Sequence, residues 1–227
     1  MSWSQEIWQK SSKIYIEILN HVFIKELANG TLNIEKFNRY LAQDEVYVGN
    51  YGRQMFEFAE LIENVEQKKL FVAFAQSGID SEKAMHALLI SRFGIDVAVK
   101  SSIVTSQYNS HTQTAIQTKS KEIALAALLP CAWVYNEVGK YILQIAKIDK
   151  NPYKEWIMEY GNEEFTNGVN TLLKLVDEWA EITDESTRSV MSKVFLEATL
   201  FEYAFWDYGY YGDEKSYVYV NDLKKWI

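Results

Sequence analysis

The sequence predicts an all-α protein, a single helical domain over residues 1–227. Three observations carry this. Apolar residues recur at spacings of three and four along most of the chain, and no stretch shows a convincing period-two alternation. Only 2 of the 227 residues are proline, which leaves long helices possible. Short clusters of Gly, Asn, Asp and Ser punctuate the pattern, but no repeat, linker or low-complexity segment divides it. The apolar fraction, 48%, is enough for a large core.

The elements run in order. Ile7, Ile14, Ile18 and Val22 set the first helix, and Leu27 continues it. Asn29-Gly30 is a stop signal, and Asn33 can cap a second helix through "IEKFNRYLAQDEVYVGNYGRQMFEFAELIE". Gly49 and Gly52 inside it each cost about 1 kcal/mol relative to Ala. They allow either close helix packing or room for a ligand. "NVEQKKLFVAFAQSGID" reads as a third helix ending near Gly78, and Ser81 starts a fourth with "SEKAMHALLISRFG". After the loop "IDVAVKSSIVT" comes a helix around "SQYNSHTQTAIQ", then one from about Ser120 to Ile148, which Pro130 either kinks or starts. "KNPYKEWIMEYG" is a short helix and "NEEFTNGVNTLLKLVDEWAEI" a longer one. The last begins near Thr183, capped by Asp184 or Ser186, and runs through "VMSKVFLEATLFEYAFWDYGYY". Helices stacked on helices result.

The totals exclude several classes. Lys and Arg number 23 against 31 Asp and Glu, a net charge of −8, which disfavours nucleic acid and anionic membranes as partners. The single cysteine cannot form an internal disulfide, which fits a reducing compartment. The N-terminal stretch "MSWSQEIWQKSSKIYIEI" lacks the basic start and apolar block of a secretory signal. The longest apolar run, residues 123–135, is shorter than the roughly 18–20 residues a membrane span needs. A soluble, cytoplasmic protein is expected.

Four groups of residues can carry chemistry. Asp44, Tyr47 and Tyr51, at i, i+3 and i+7, share one helical face. They are either an exposed acid beside core aromatics, or an acid that grips a polar ligand between two rings. Cys131 and Tyr135, at i and i+4, share another face. A lone cysteine in an apolar run is ordinarily an inert core residue, and a nucleophilic one needs help to lose its proton. Glu202 stands among Tyr203, Phe205 and Trp206. Buried there it would hold a proton and could deliver it; on a solvated helix face it would do neither. Glu82 and His86, at i and i+4, could bind a metal, but three histidines and no paired Glu-x-x-His motifs supply a di-iron site poorly. A helix-surface ion pair is the expected reading, and no metal site is expected. A haem on His21 is equally unsupported. No phosphate loop, G-x-S-x-G elbow, H-E-x-x-H or zinc-type cysteine spacing occurs. The aromatic content, 15%, suits a pocket for a flat ring, although aromatics also fill cores and interfaces.

Three separated segments together resemble the TenA family, also called thiaminase II or aminopyrimidine aminohydrolase. "HVFIKELANGTLNIEKFNRYLAQDEVYV" is similar to its first-helix end, Gly turn and Q-D-x-x-Y segment. "LLPCAWVYNEVG" is similar to its P-C-x-x-x-Y segment, and "FEYAFWD" to its C-terminal E-x-x-F-W segment. The likeness covers almost the whole chain and points to the cysteine-containing branch. It implies a haem-oxygenase-like helical bundle, assembled as a homotetramer. The implied reaction converts 4-amino-5-aminomethyl-2-methylpyrimidine to the hydroxymethyl compound and ammonia, a step of thiamine salvage, with slow hydrolysis of thiamine itself. No metal or organic cofactor is implied. Cys131 would be the nucleophile that adds to the ring, and Glu202 would protonate a ring nitrogen. Asp44 would hold the 4-amino group, and Tyr47 and Tyr135 would contact the ring. Tyr108 and Tyr160 match the family's other pocket tyrosines more loosely. The segment around Tyr108 lacks a cysteine that some relatives carry, and Gly49 and Gly52 follow Tyr47 closely; both bear on the substrate more than on the reaction. Two other readings stay open: an oxidative enzyme of the same fold, such as a quinone-cofactor synthase or an oxygenase, and a pyrimidine-binding or regulatory protein without activity.

Overall fold

The computed structural model describes residues 1–213; the final part of the expected 1–227 domain lies outside them. The described residues form nine α-helices and no strand: α1 (Trp3–Asn20), α2 (Val22–Asn29), α3 (Ile34–Ala59), α4 (Val65–Phe93), α5 (Ile103–Gln117), α6 (Lys121–Ile145), α7 (Lys154–Gly161), α8 (Glu163–Ile182) and α9 (Glu185–Tyr211). A 3-10 turn, Ile148–Lys150, precedes α7. No helix among them is long and apolar enough to cross a membrane.

Polar residues start most of the helices, with Asn33 and Asp184 capping as the sequence suggests. Asn33, Asn64, Ser102, Ser120, Asn162 and Asp184 each cap the following helix by accepting a backbone N–H. Gly30 ends α2 in the left-handed conformation at φ 70°. Two expectations need correction. The first helix is two, because His21 adopts an extended ψ of 138° and its Nδ1 accepts the Phe23 N–H at 3.1 Å, capping α2. The third and fourth helices are one: α4 runs through Gly78 and Ser81 without a break. Its buried stripe, Phe71, Ala75, Ile79, Met85 and Leu89, continues across both residues, and Ser81 turns its hydroxyl to Glu159 instead of capping. Pro130 lies inside α6, which Ser120 starts and which ends at Ile145.

α6 packs along α9 at the centre. α3 and α5 close one side of this pair, α7 and α8 pack on α6, and α1 lies against α9 and α8; α4 rests on α3, α7 and α8. From Ala124 to Asn136, α6 is buried all round except at Cys131. Such a helix belongs in a core. α6 and α7 approach so closely at Gly139 that a Cβ there would lie 2.5 Å from the Tyr160 carbonyl carbon. Asn136 secures the same junction, donating to Tyr160 O (3.0 Å) and Thr166 Oγ1 (2.9 Å).

Candidate active site

A narrow internal slot opens between α3, α4, α6 and α7, with about 570 Å³ of non-atom space, its mouth included. Helical spacing brings its groups together. Asp44, Tyr47 and Tyr51 enter from α3, Glu82 from α4, Cys131 and Tyr135 from α6, and Tyr160 from α7. Gln43, beside Asp44, explains how α5 joins them. Its Oε1 accepts from Ser102 N (2.8 Å) and Thr105 Oγ1 (2.9 Å), and its Nε2 donates to Lys100 O (2.8 Å). The start of α5 is thereby pinned to α3, and Tyr108 is set one turn further along.

One end of the slot is charged. His86 meets Asp44 Oδ2 through Nε2 at 3.3 Å and Glu45 Oε2 through Nδ1 at 2.6 Å. Two carboxylate acceptors require two N–H donors, so the ring is an imidazolium. Burial disfavours that charge, but the hydrogen bonds to Asp44 and Glu45 outweigh it and raise the pKa to about 10. Tyr40 donates to Asp44 Oδ2 (3.1 Å), accepts from Trp156 Nε1 (3.2 Å), and lies 3.1 Å from the Tyr135 hydroxyl. Glu82 accepts from the Tyr160 hydroxyl at 2.6 Å. Burial, then the Asp44 charge, raises its pKa to about 7. The expected surface pair of Glu82 with His86 is therefore incorrect. His86 is buried and turned to α3, because α4 packs on α3, and Glu82 lines the slot. Asp44, Glu82 and His86 hold one polar atom each within 4.8 Å of one another, but both His86 nitrogens already face carboxylates.

The other end is neutral. Tyr47 stacks on Tyr51 (centroids 5.5 Å) and on Tyr108 (4.9 Å), and Tyr108 on Phe201 (5.3 Å). Tyr108 donates a short hydrogen bond to Glu202. Both are buried and close the inner end behind Tyr47; neither is on the slot's lining. Burial is the main cause that lifts the Glu202 pKa to about 8, against the pull of the Tyr108 hydroxyl. Cys131 is half-buried and lines the slot. Burial, followed by the charges of Glu202 and Glu82, pushes the thiol well above its ordinary range, and the Tyr47 hydroxyl pulls it down. That hydroxyl is buried and leans toward the sulfur short of a formed hydrogen bond. Tyr51 donates to Leu128 O (2.9 Å), fixing α3 against the turn that presents Cys131.

All seven expected site residues thus gather at one place, five on the slot and two behind it. Residues 8–212 match the model of the TENA/THI-4/PQQC family. The chain belongs to that family. Among curated relatives, an aminopyrimidine aminohydrolase of Halalkalibacterium halodurans is 28% identical over 216 residues, covering 92% of this chain and 96% of the relative. One of Bacillus subtilis is also 28% identical, over 92% of this chain and 90% of its own. Among solved structures, a TenA homologue from Pyrococcus furiosus superposes with a TM-score of 0.86 at 24% identity, over 92% of this chain and all of the other (100%). The all-helical, haem-oxygenase-like fold is shared with these TenA structures, and the family includes aminopyrimidine aminohydrolases.

Sequence reasoning missed Tyr40, and it weighed Glu82 and His86 only as a metal pair or a surface ion pair. Tyr40 stands four residues before Asp44, so the i, i+4 rule could have found it. The reach of His86 to α3 has no local signal.

Proposed function

We propose that this protein hydrolyses 4-amino-5-aminomethyl-2-methylpyrimidine to 4-amino-5-hydroxymethyl-2-methylpyrimidine and ammonia. The observation that carries the reading is the position of Cys131. It is the one residue of its run that is not fully buried, and it lines the slot together with Asp44, while the protonated Glu202 lies behind Tyr47. The relatives named aminopyrimidine aminohydrolase support the substrate class.

Displacing an amine from the exocyclic methylene is hard while the ring is aromatic. Addition of the thiol across the C6–N1 bond removes that obstacle. The sulfur bonds to C6, Glu202 gives its proton to N1, and the thiol proton replaces it on Glu202, so no free thiolate is needed. The adduct is an enamine. The 4-amino lone pair can now expel the group on the 5-methylene, and Asp44 stabilises the iminium that forms at C4. Water adds to the methylene, the ring sheds sulfur, and Glu202 returns the proton from N1. Tyr47 and Tyr135 supply the faces on which the flat ring rests. The haem and iron versions of the oxidative reading would need imidazoles to hold the metal, and each of the three histidines already has other partners. His21 accepts from Phe23 N and meets Asp207 at 3.3 Å, His111 meets Val194 O at 3.0 Å, and both nitrogens of His86 face carboxylates.

The test is to incubate the purified protein with the aminomethylpyrimidine and quantify both products. Equimolar ammonia and hydroxymethylpyrimidine are expected. Tight binding without turnover would favour the binding-protein reading instead.

A further inference from the structure

Glu82 stands in the slot without a part in the ring chemistry of Cys131 and Glu202. Its carboxyl is not engaged by His86, whose nitrogens are taken by Asp44 and Glu45. It is fixed instead by the Tyr160 hydroxyl at 2.6 Å, and Tyr160 is itself fixed by the close junction of α6 and α7 at Gly139. Two relations place it against the substrate. It lies beside Asp44, within 4.8 Å between polar atoms. Its charge also acts on the Cys131 sulfur, second among charges only to that of Glu202. Asp44 is the partner of the 4-amino group and Cys131 the partner of C6. The aminomethyl group is carried by C5, between those two ring positions. A carboxyl that is close to Asp44 and shares the slot lining with Cys131 is therefore within reach of the leaving amine.

We propose that Glu82 is the acid that protonates the amine as it departs, an inference that rests on the pyrimidine hydrolase function. The amine enters as the free base. As the bond between the methylene and nitrogen breaks, the Glu82 proton moves to nitrogen and ammonia leaves neutral. Glu82, now a carboxylate, accepts a proton from the water that adds to the methylene, and so regains its starting form. Glu202 and Cys131 exchange their protons separately at the ring, so the sum is substrate plus water giving alcohol plus ammonia. A carboxyl with a raised pKa, surrounded by Asp44, His86, Glu159 and Tyr160, keeps the required proton near neutral pH.

The substrate itself supplies the discriminating experiment. An amine needs a proton to leave, whereas the thiazolium of thiamine leaves as a neutral thiazole and needs none. In Glu82→Gln the acceptor for Tyr160 remains and the proton is lost. We expect turnover of the aminomethylpyrimidine to fall about 10²- to 10³-fold, at least tenfold more than turnover of thiamine, with KM nearly unchanged. Glu82→Asp, which keeps an acid, should recover part of the amine activity; if the Gln variant does not fold, the same ratio is read on Asp. Equal losses on both substrates, or no loss on the amine, overturn the role of Glu82. A wild-type protein that turns over neither substrate overturns the underlying function instead.

Discussion

The two ends of the slot hold similar groups in opposite states. At the Asp44 end, carboxylates crowd a buried imidazolium, and that cation offsets the negative charge beside it. At the Cys131 end, a thiol and a carboxyl are buried among tyrosines, and burial first, then nearby negative charge, makes both keep their protons. The difference is made by one histidine on α4. It lets a single small cavity offer a carboxylate paired with a cation to an amino group and a neutral acid to a ring nitrogen.

The largest expected effect is at the neutral end. Glu202→Gln removes the proton relay between sulfur and ring and should lower turnover about 10²- to 10⁴-fold. It should also change the pH dependence of stability. The folded pKa of Glu202, about 8, exceeds the ordinary 4.5, so the folded chain keeps a proton that the unfolded chain has released. This contribution to stability is complete below about pH 4.5, falls as pH rises toward 8, and is level above that. Denaturant melts should therefore show the Gln variant gaining on wild type by at least about 1 kcal/mol between pH 5 and pH 8.

Next is the cation. His86→Gln leaves Asp44 buried without its counter-charge and should destabilise by about 3 kcal/mol near pH 6. The His86 pKa is raised to about 10, so the pairing is complete below about pH 6.5 and is lost as pH rises through 10. The gap between variant and wild type in thermal melts should narrow along that course. Gly139→Ala comes third. Its Cβ would clash with the Tyr160 backbone, so α6 and α7 must part, at a cost of about 1–3 kcal/mol. KM should rise because Tyr160 and its partner Glu82 move together. The smallest effect is that of Tyr51→Phe, which loses one hydrogen bond to Leu128 O, about 1 kcal/mol, measurable by chemical denaturation.

Most of the fold was legible because helix ends carry their own signals: Asn33, Ser120 and Asp184 cap where their side chains allow it. The failures were the opposite kind. Gly78 and Ser81 look like a boundary, yet the buried stripe of α4 passes through them, and packing on α3 and α8 outweighs a local preference. His21 breaks a pattern that looks continuous because its own side chain caps α2. In the site, shared helical faces identified Asp44 with Tyr47, and Cys131 with Tyr135. Periodicity says which residues share a face but not what that face meets. Glu82 and His86 were therefore paired with each other, when α4 turns one to the slot and the other to α3.

The most direct test of the cysteine mechanism compares ammonia release from the aminomethylpyrimidine by wild type and by Cys131→Ser. The serine hydroxyl nearly keeps the shape of the thiol but is a far poorer nucleophile toward the ring. Release should be abolished while the hydroxymethyl product still binds. Full activity in the serine variant would contradict nucleophilic attack by Cys131.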